Sequence, residues 1–180
     1  LIGAQIVPTP APPPTPTPLP PGATPPPRPT PPASLYEPVG PFAFYVETLA
    51  TTRPSKYGLA STVSCIPTSV FKRGMKIVWR FEVIDLSTGK RVTDVDEATV
   101  KVVLPQGEEL TARFSQRGGG SVPSAPWMWN TFWDIPTDYP LGAFDYSIVV
   151  TGKDGRTGTF KPPALVSQER GIDSRLQIID

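Results

Sequence analysis

The chain has 180 residues, 26 of them proline, with a net charge of +1. It contains no histidine and a single cysteine, Cys65, which excludes an intradomain disulfide, a Cys/His metal site and a Cys–His nucleophile pair. Acidic and basic residues are mixed along the sequence and form no basic face, so nucleic acid is not expected as a partner. Scarce Asn, Cys and Met beside abundant Pro favour a thermophilic source.

The N-terminal part differs from the rest in composition. Fifteen of the 25 residues from Pro8 to Pro32 are proline, which rules out a helix or a central strand there. As polyproline II, this stretch would extend by ~3.1 Å per residue, to roughly 80 Å. We therefore predict a proline-rich arm over residues 1–41 and a folded domain over 42–180. The arm is either a stiff spacer or an ordered contact with another subunit, and its threonines are possible O-glycan positions.

The first seven residues, LIGAQIV, are apolar and uncharged. Leu1, Ile2, Ile6 and Val7 are therefore predicted partner-binding residues. They belong either to a hydrophobic anchor or signal that is removed or lies upstream, or to a strand donated to a neighbouring molecule. Since the first residue is leucine, we expect a processed or trimmed N-terminus. Contact with a membrane is expected only through such an anchor.

The domain begins with a predicted strand over Phe42–Leu49. A Ser/Thr/Gly/Pro-bearing connection follows and holds Cys65, which we interpret as a small buried residue. Apolar residues then alternate with polar ones, the period-2 pattern of a strand with one buried face. The predicted inward residues of this longest strand are Ile77, Trp79, Phe81 and Val83.

The rest of the chain repeats this pattern with turns between the strands. Predicted inward sets are Ala98, Val100, Val102 and Leu104; Leu110, Ala112 and Phe114; Phe144, Tyr146, Ile148 and Val150; and Leu176 with Ile178. Residues 116–126 are expected to form a loop. A turn is predicted at residues 105–108, which include Gly107. Asp154-Gly155 is a hairpin turn signal, with the return strand over Thr157–Phe160. Seven or eight short strands without a convincing helix predict an all-β, immunoglobulin-like antiparallel sandwich.

The run from Ser69 to Phe160 resembles bacterial extracellular immunoglobulin-like domains. It is also similar, more loosely, to the macroglobulin-type sandwich, in which a Gly–x–aromatic–x–Tyr strand (Gly142, Phe144, Tyr146) precedes an Asp-Gly turn. The resemblance implies a fold and an extracellular setting. It does not imply an activity, because its elements are structural. The cysteine pair of antibody domains is missing.

Residues for catalysis are few. Without histidine, acid–base chemistry would fall to carboxylates or lysine. Two acidic groups occur, Asp94/Asp96/Glu97 and Asp134/Asp138/Asp145, but neither has the surroundings of a glycosidase pair or the donor spacing of an EF-hand. We therefore predict no catalytic residue, no cofactor and no metal, with a hydrolase and an interloop calcium site as lesser alternatives.

Trp127, Trp129 and Trp133 share one face of a predicted strand, with Met128, Asn130 and Phe132 on the other. One buried face cannot hide both sets, so some aromatic surface is exposed or covered by a partner, unless a bend or bulge turns most of them into the core. The three tryptophans are thus either core residues, a protein-binding hot spot or a stacking platform for sugars.

These observations predict a non-enzymatic structural or accessory subunit of an extracytoplasmic surface assembly, such as a filament, a pilus or an envelope complex. Its arm would tether it or contact neighbouring subunits, and its partners would be other proteins or copies of itself. The alternative is a stalked carbohydrate-binding module that uses its surface tryptophans.

Overall fold

The computed structural model describes residues 40–63, 66–117, 123–162 and 175–180. Residues 1–39 of the arm, with Leu1, Ile2, Ile6 and Val7, lie outside these ranges, as do Cys65 and residues 118–122 of the predicted loop. The described ranges contain twelve strands: β1 (Phe42–Ala50), β2 (Val70–Lys72), β3 (Lys76–Asp85), β4 (Lys90–Arg91), β5 (Thr99–Val103), β6 (Glu109–Thr111), β7 (Arg113–Gln116), β8 (Trp127–Asp134), β9 (Gly142–Phe144), β10 (Ser147–Thr151), β11 (Thr157–Phe160) and β12 (Leu176–Ile179).

The largest sheet, sheet I, has the antiparallel order β1–β3–β8–β7, with β4 also paired to β3. Its central strand β3 buries the four residues that the alternation predicted: Ile77, Trp79, Phe81 and Val83 are at most 1 % exposed. Phe81 stands opposite Val46 of β1 and Trp129 of β8. The period-2 pattern is confirmed here because both neighbouring strands present their apolar residues to the same face.

Sheet II has the order β11–β10–β5–β6 and is also antiparallel. The β10–β11 hairpin turns at Gly155, whose φ of +81° suits the residue after Asp in a tight turn. The β5–β6 hairpin turns at Gly107, where φ is +90°. Both turns lie where the sequence predicted them, because glycine takes a positive φ without steric cost.

Sheet III is small and mixed: β12 pairs in parallel with β2 and antiparallel with β9. It corrects the single strand that was predicted through Phe144 and Ile148. The chain leaves sheet III after Phe144 and enters sheet II at Ser147. Burial still alternates across the break, since Tyr146 and Ile148 are both buried. The sequence pattern therefore does not reveal that the chain changes sheets.

Sheets I and II enclose an apolar core, in keeping with the predicted all-β sandwich. Trp79 of sheet I is fully buried and meets Tyr146 edge-on, with ring centroids 5.7 Å apart. Phe44 of sheet I meets Phe160 of sheet II at 5.9 Å. Burial raises the pKa of the Tyr146 phenol to about 12. No helix in the described ranges is long and apolar enough to cross a membrane; the short helical element Asp94–Asp96 is a 3₁₀ turn.

Candidate binding surfaces

The three predicted tryptophans do not form one surface. Trp129 and Trp133 are only 4 % and 7 % exposed, so they belong to the core and are unavailable to a partner of the folded domain. Trp129 Nε1 donates a hydrogen bond to the Val92 carbonyl at 2.8 Å, which satisfies its polar group inside the core. Trp127 has the same orientation but lies at the start of β8, where it is 49 % exposed. Of these three tryptophans, Trp127 alone keeps an exposed ring that a partner could contact.

Trp127 forms a small aromatic shelf with Phe114. Their rings are stacked, with centroids 5.9 Å apart and an angle of 27° between planes. Phe114 in turn contacts the buried Trp129 at 5.5 Å. The guanidinium of Arg91 donates to the Trp127 carbonyl at 2.6 Å and to Glu82 at 2.8 Å. Packing of Phe114 on the buried Trp129 and the hydrogen bond from Arg91 to Trp127 therefore fix the position of the shelf.

A larger feature lies on the outer face of sheet I, the face turned away from the core. There β1, β3 and β8 place Leu49, Val78 and Phe132 in one row across the sheet, and the next row carries Arg80 and Asn130. A cavity of about 580 Å³ opens over these rows. Its volume falls in the range of ligand sites in proteins. We call it the sheet I groove; its lining also includes Arg53, Lys76, Ser115, Gln116, Arg117 and Met128.

The lining of the sheet I groove carries positive charge. Its lining contains the cations Arg53, Lys76, Arg80 and Arg117 and no carboxylate. Arg53 and Arg117 are exposed at the margin. Two acids stand close by: Asp134 faces Lys76, with Nζ 3.5 Å from the carboxylate, and Glu47 is the β1 neighbour of Arg80. The exposed Arg53 and Arg117 leave the groove with an excess of positive charge, which favours an anionic group electrostatically.

The groove also offers an apolar contact. Phe132 is 58 % exposed, and the ammonium of Lys76 lies 4.9 Å from the centre of its ring. Such a cation–π contact restrains both side chains without covering the ring. Asn130 helps to fix the floor, since its amide donates to Ser115 Oγ at 2.7 Å. The groove thus joins an ordered aromatic residue to several cations.

The opposite end of β3 carries a charged cluster of another kind. Arg156, at the start of sheet II, donates to Asp85 of sheet I at 2.6 and 3.2 Å and to Asp154 at 2.5 Å. These bonds hold the pKa of the Asp85 carboxyl well below its usual range and lower that of Asp154. A cavity of about 410 Å³ beside them is lined by both acids and cations. We interpret this cluster as a clasp between the two sheets.

The predicted acidic groups stay apart. Asp94 and Asp96 lie on the exposed 3₁₀ turn, and Asp134 of β8 pairs with Lys76 of β3. Asp145 lies 3.9 Å from Arg175. Within the described ranges, no three Asp, Glu, Cys or His side chains come together as a set that could hold a metal ion.

Comparison of the chain with protein-family models and with curated proteins finds no match. The function is therefore inferred from the surfaces of the domain. Sequence reasoning missed the groove, because its residues come from four strands and two connections. One residue gave a sign of the groove in the sequence. Phe132 is apolar, whereas Asn130 and Asp134, which lie on the same face of β8, are polar.

Proposed function

We propose that the domain is a non-catalytic interaction module and serves as a subunit of an extracytoplasmic surface assembly. The observation that carries the proposal is the sheet I groove, in which exposed Phe132 lies among four cations. Aromatic residues and arginine are enriched where proteins bind proteins. The proline-rich arm would tether the domain to the surface or to its neighbours.

The groove fits protein recognition better than catalysis. Its lining offers guanidinium, ammonium, amide and hydroxyl groups, but no carboxylate, histidine or thiolate that would act as a base or a nucleophile. Arginine forks are suited to carboxylates of a partner. The resemblance of residues 69–160 to extracellular immunoglobulin-like domains supports the same proposal.

A carbohydrate-binding module is the second candidate, and the aromatic shelf favours it. Trp127 is half exposed and presents a ring that Phe114 holds from behind. A rigid indole of this kind can stack on a sugar ring. The shelf is a single platform, however, whereas the groove combines a larger volume with several charged groups.

A photo-crosslinking amino acid in place of Phe132 would test the proposal in the full chain. On the surface fraction of the source cells it should yield crosslinks to protein. The matched control replaces Leu141, which is 47 % exposed but lies outside the groove lining, and should yield none. A glycan array should be blank. A glycan signal that Trp127→Ala abolishes, without crosslinks at position 132, would favour the carbohydrate-binding module instead.

A further inference from the structure

The 3₁₀ turn between β4 and β5 has the opposite chemistry to the sheet I groove. Its residues Asp94, Val95, Asp96 and Glu97 are all exposed, and three of them are acidic. Val95 is 81 % exposed, more than any other large apolar side chain in the described ranges, and Phe132 follows at 58 %. The two most exposed apolar residues thus lie among acids in one case and among cations in the other. We call residues 94–97 the acidic knob.

The acidic knob is a preformed structure. Thr93 donates from its backbone N–H and from its hydroxyl to the Asp96 carboxylate, at 2.7 and 3.0 Å. Glu97 closes the turn in the left-handed region, with φ of +53°, and pairs with Lys153 at 2.7 Å. A segment that is already ordered loses less conformational entropy when it binds. Asp94 and Val95 are therefore presented at the tip of a fixed turn.

The knob cannot reach Phe132 in its own molecule. Phe132 stands opposite Val78, in the first half of β3. The knob follows β4, which pairs with Ile84 and Asp85 at the far end of β3. At ~3.4 Å per residue, Val78 and Ile84 are about 20 Å apart along the strand. A contact between the knob and Phe132 must therefore join different molecules.

We propose that the sheet I groove binds the acidic knob of a second copy of this chain. Val95 packs on Phe132, and Asp94 faces Arg53 at the margin of the groove. Since the two surfaces differ, the contact is head-to-tail and leaves one free knob and one free groove at the ends of each pair, so it propagates into a ring or a filament. This inference rests on the proposed assembly function and names its partner.

The contact is small, because one turn enters one groove. Interfaces below about 1,200 Å² belong to weak complexes, so we expect self-association between ~10 µM and ~1 mM for the isolated chain. Raising salt from about 0.1 M to about 1 M shortens the Debye length from ~10 Å to ~3 Å and should weaken the association.

Two charge reversals in the full chain test the proposal by sedimentation velocity. Asp94→Lys removes the acid at the tip of the knob, and Arg53→Glu removes an exposed cation of the groove. Each variant alone should associate roughly tenfold more weakly or not at all. Mixed together, they should associate again, because the intact knob of one variant fits the intact groove of the other. Asp138→Lys and Lys72→Glu, exposed residues outside both surfaces, are the matched controls and should associate as the wild type does.

Several results would overturn the inference. Circular dichroism must first show that each variant keeps the spectrum of the wild type. A wild-type chain that stays monomeric up to about 1 mM, or association that survives both reversals, would contradict it. Retention on a sulfated polysaccharide without self-association would make a glycan the occupant of the groove. If photo-crosslinks at position 132 then lead to a different protein, the proposed function stands and only the second copy is rejected as the partner.

Discussion

Replacing Trp79 by alanine tests whether the sandwich depends on the centre of β3. Trp79 is fully buried, stands between Thr48 and Thr131 of its neighbouring strands, and meets Tyr146 edge-on across the core. A tryptophan side chain buries roughly 150–250 Å², and an edge-to-face pair adds about 0.5–1.5 kcal/mol. Truncating a buried aromatic to alanine costs about 3–5 kcal/mol, because the cavity collapses only in part.

One feature of Trp79 limits the loss. Its Nε1 is buried beside the Tyr146 phenol, whose pKa burial raises and this N–H lowers in part, but it makes no well-formed hydrogen bond among the described residues. A buried unpaired donor costs about 1–3 kcal/mol, and any substitution that removes the indole relieves this cost. Trp79→Phe keeps a ring against Tyr146 and removes the N–H, so we expect a loss of only about 1–2 kcal/mol. Trp79→Ala should therefore fall near the lower end of its range.

Urea denaturation followed by far-UV circular dichroism measures these free energies without relying on tryptophan fluorescence. Trp127→Ala is the matched control: the same residue type on the same face of sheet I, but 49 % exposed and expected to cost no more than about 1–1.5 kcal/mol. If the alanine variants at positions 79 and 127 lose stability equally, with unchanged m-values, the assignment of Trp79 to the centre of the core is refuted.

Three further predictions concern the clasp, the arm and the cysteine. Arg156 lowers the pKa of the Asp85 carboxyl in the folded state, so this carboxylate stabilises the fold above about pH 4, the pKa of an aspartate in the unfolded chain. That stabilisation is lost as the pH falls further. Asp85→Asn should therefore make the melting temperature depend less on pH in the acid range, and an unchanged dependence would contradict this. Deleting residues 1–33 should leave the circular dichroism spectrum and the head-to-tail contact intact, since the strands begin at Phe42, but should abolish tethering; loss of the fold would show that the arm belongs to the sheets. Cys65→Ser should leave assembly unchanged, because the chain has no second cysteine; loss of a dimer band on a non-reducing gel would instead identify a cross-link.

The sequence alone determined most of the local structure. The alternation in β3 and β5, the glycine turns at positions 107 and 155, and the β10–β11 hairpin all follow from period-2 burial and from the few residues that accept a positive φ. These features depend on neighbours in the chain, so they can be predicted without knowing the partner strands. The same reasoning predicted Trp79 as a core residue, and its burial confirms it.

The tertiary structure decided what the local pattern left open. Trp127, Trp129 and Trp133 have the same orientation on β8, but only the last two lie where the core covers that face. β12 pairs with β2 and β9, whose residues are far from it in the sequence. The chain changes sheets after Phe144 because of this pairing. Strands of two to four residues, such as β4, carry too few positions for a period to be detected.

The sheet I groove shows the same limit at the level of function. Arg53, Arg80 and Arg117 are separated by 27 and 37 residues, and nothing in their local sequence relates them. They line one cavity because the antiparallel registers of β1, β3, β8 and β7 bring their segments together. Register is set by which apolar faces pack against each other across the whole sandwich, and for that reason a binding surface built on it appears only when the strands are paired.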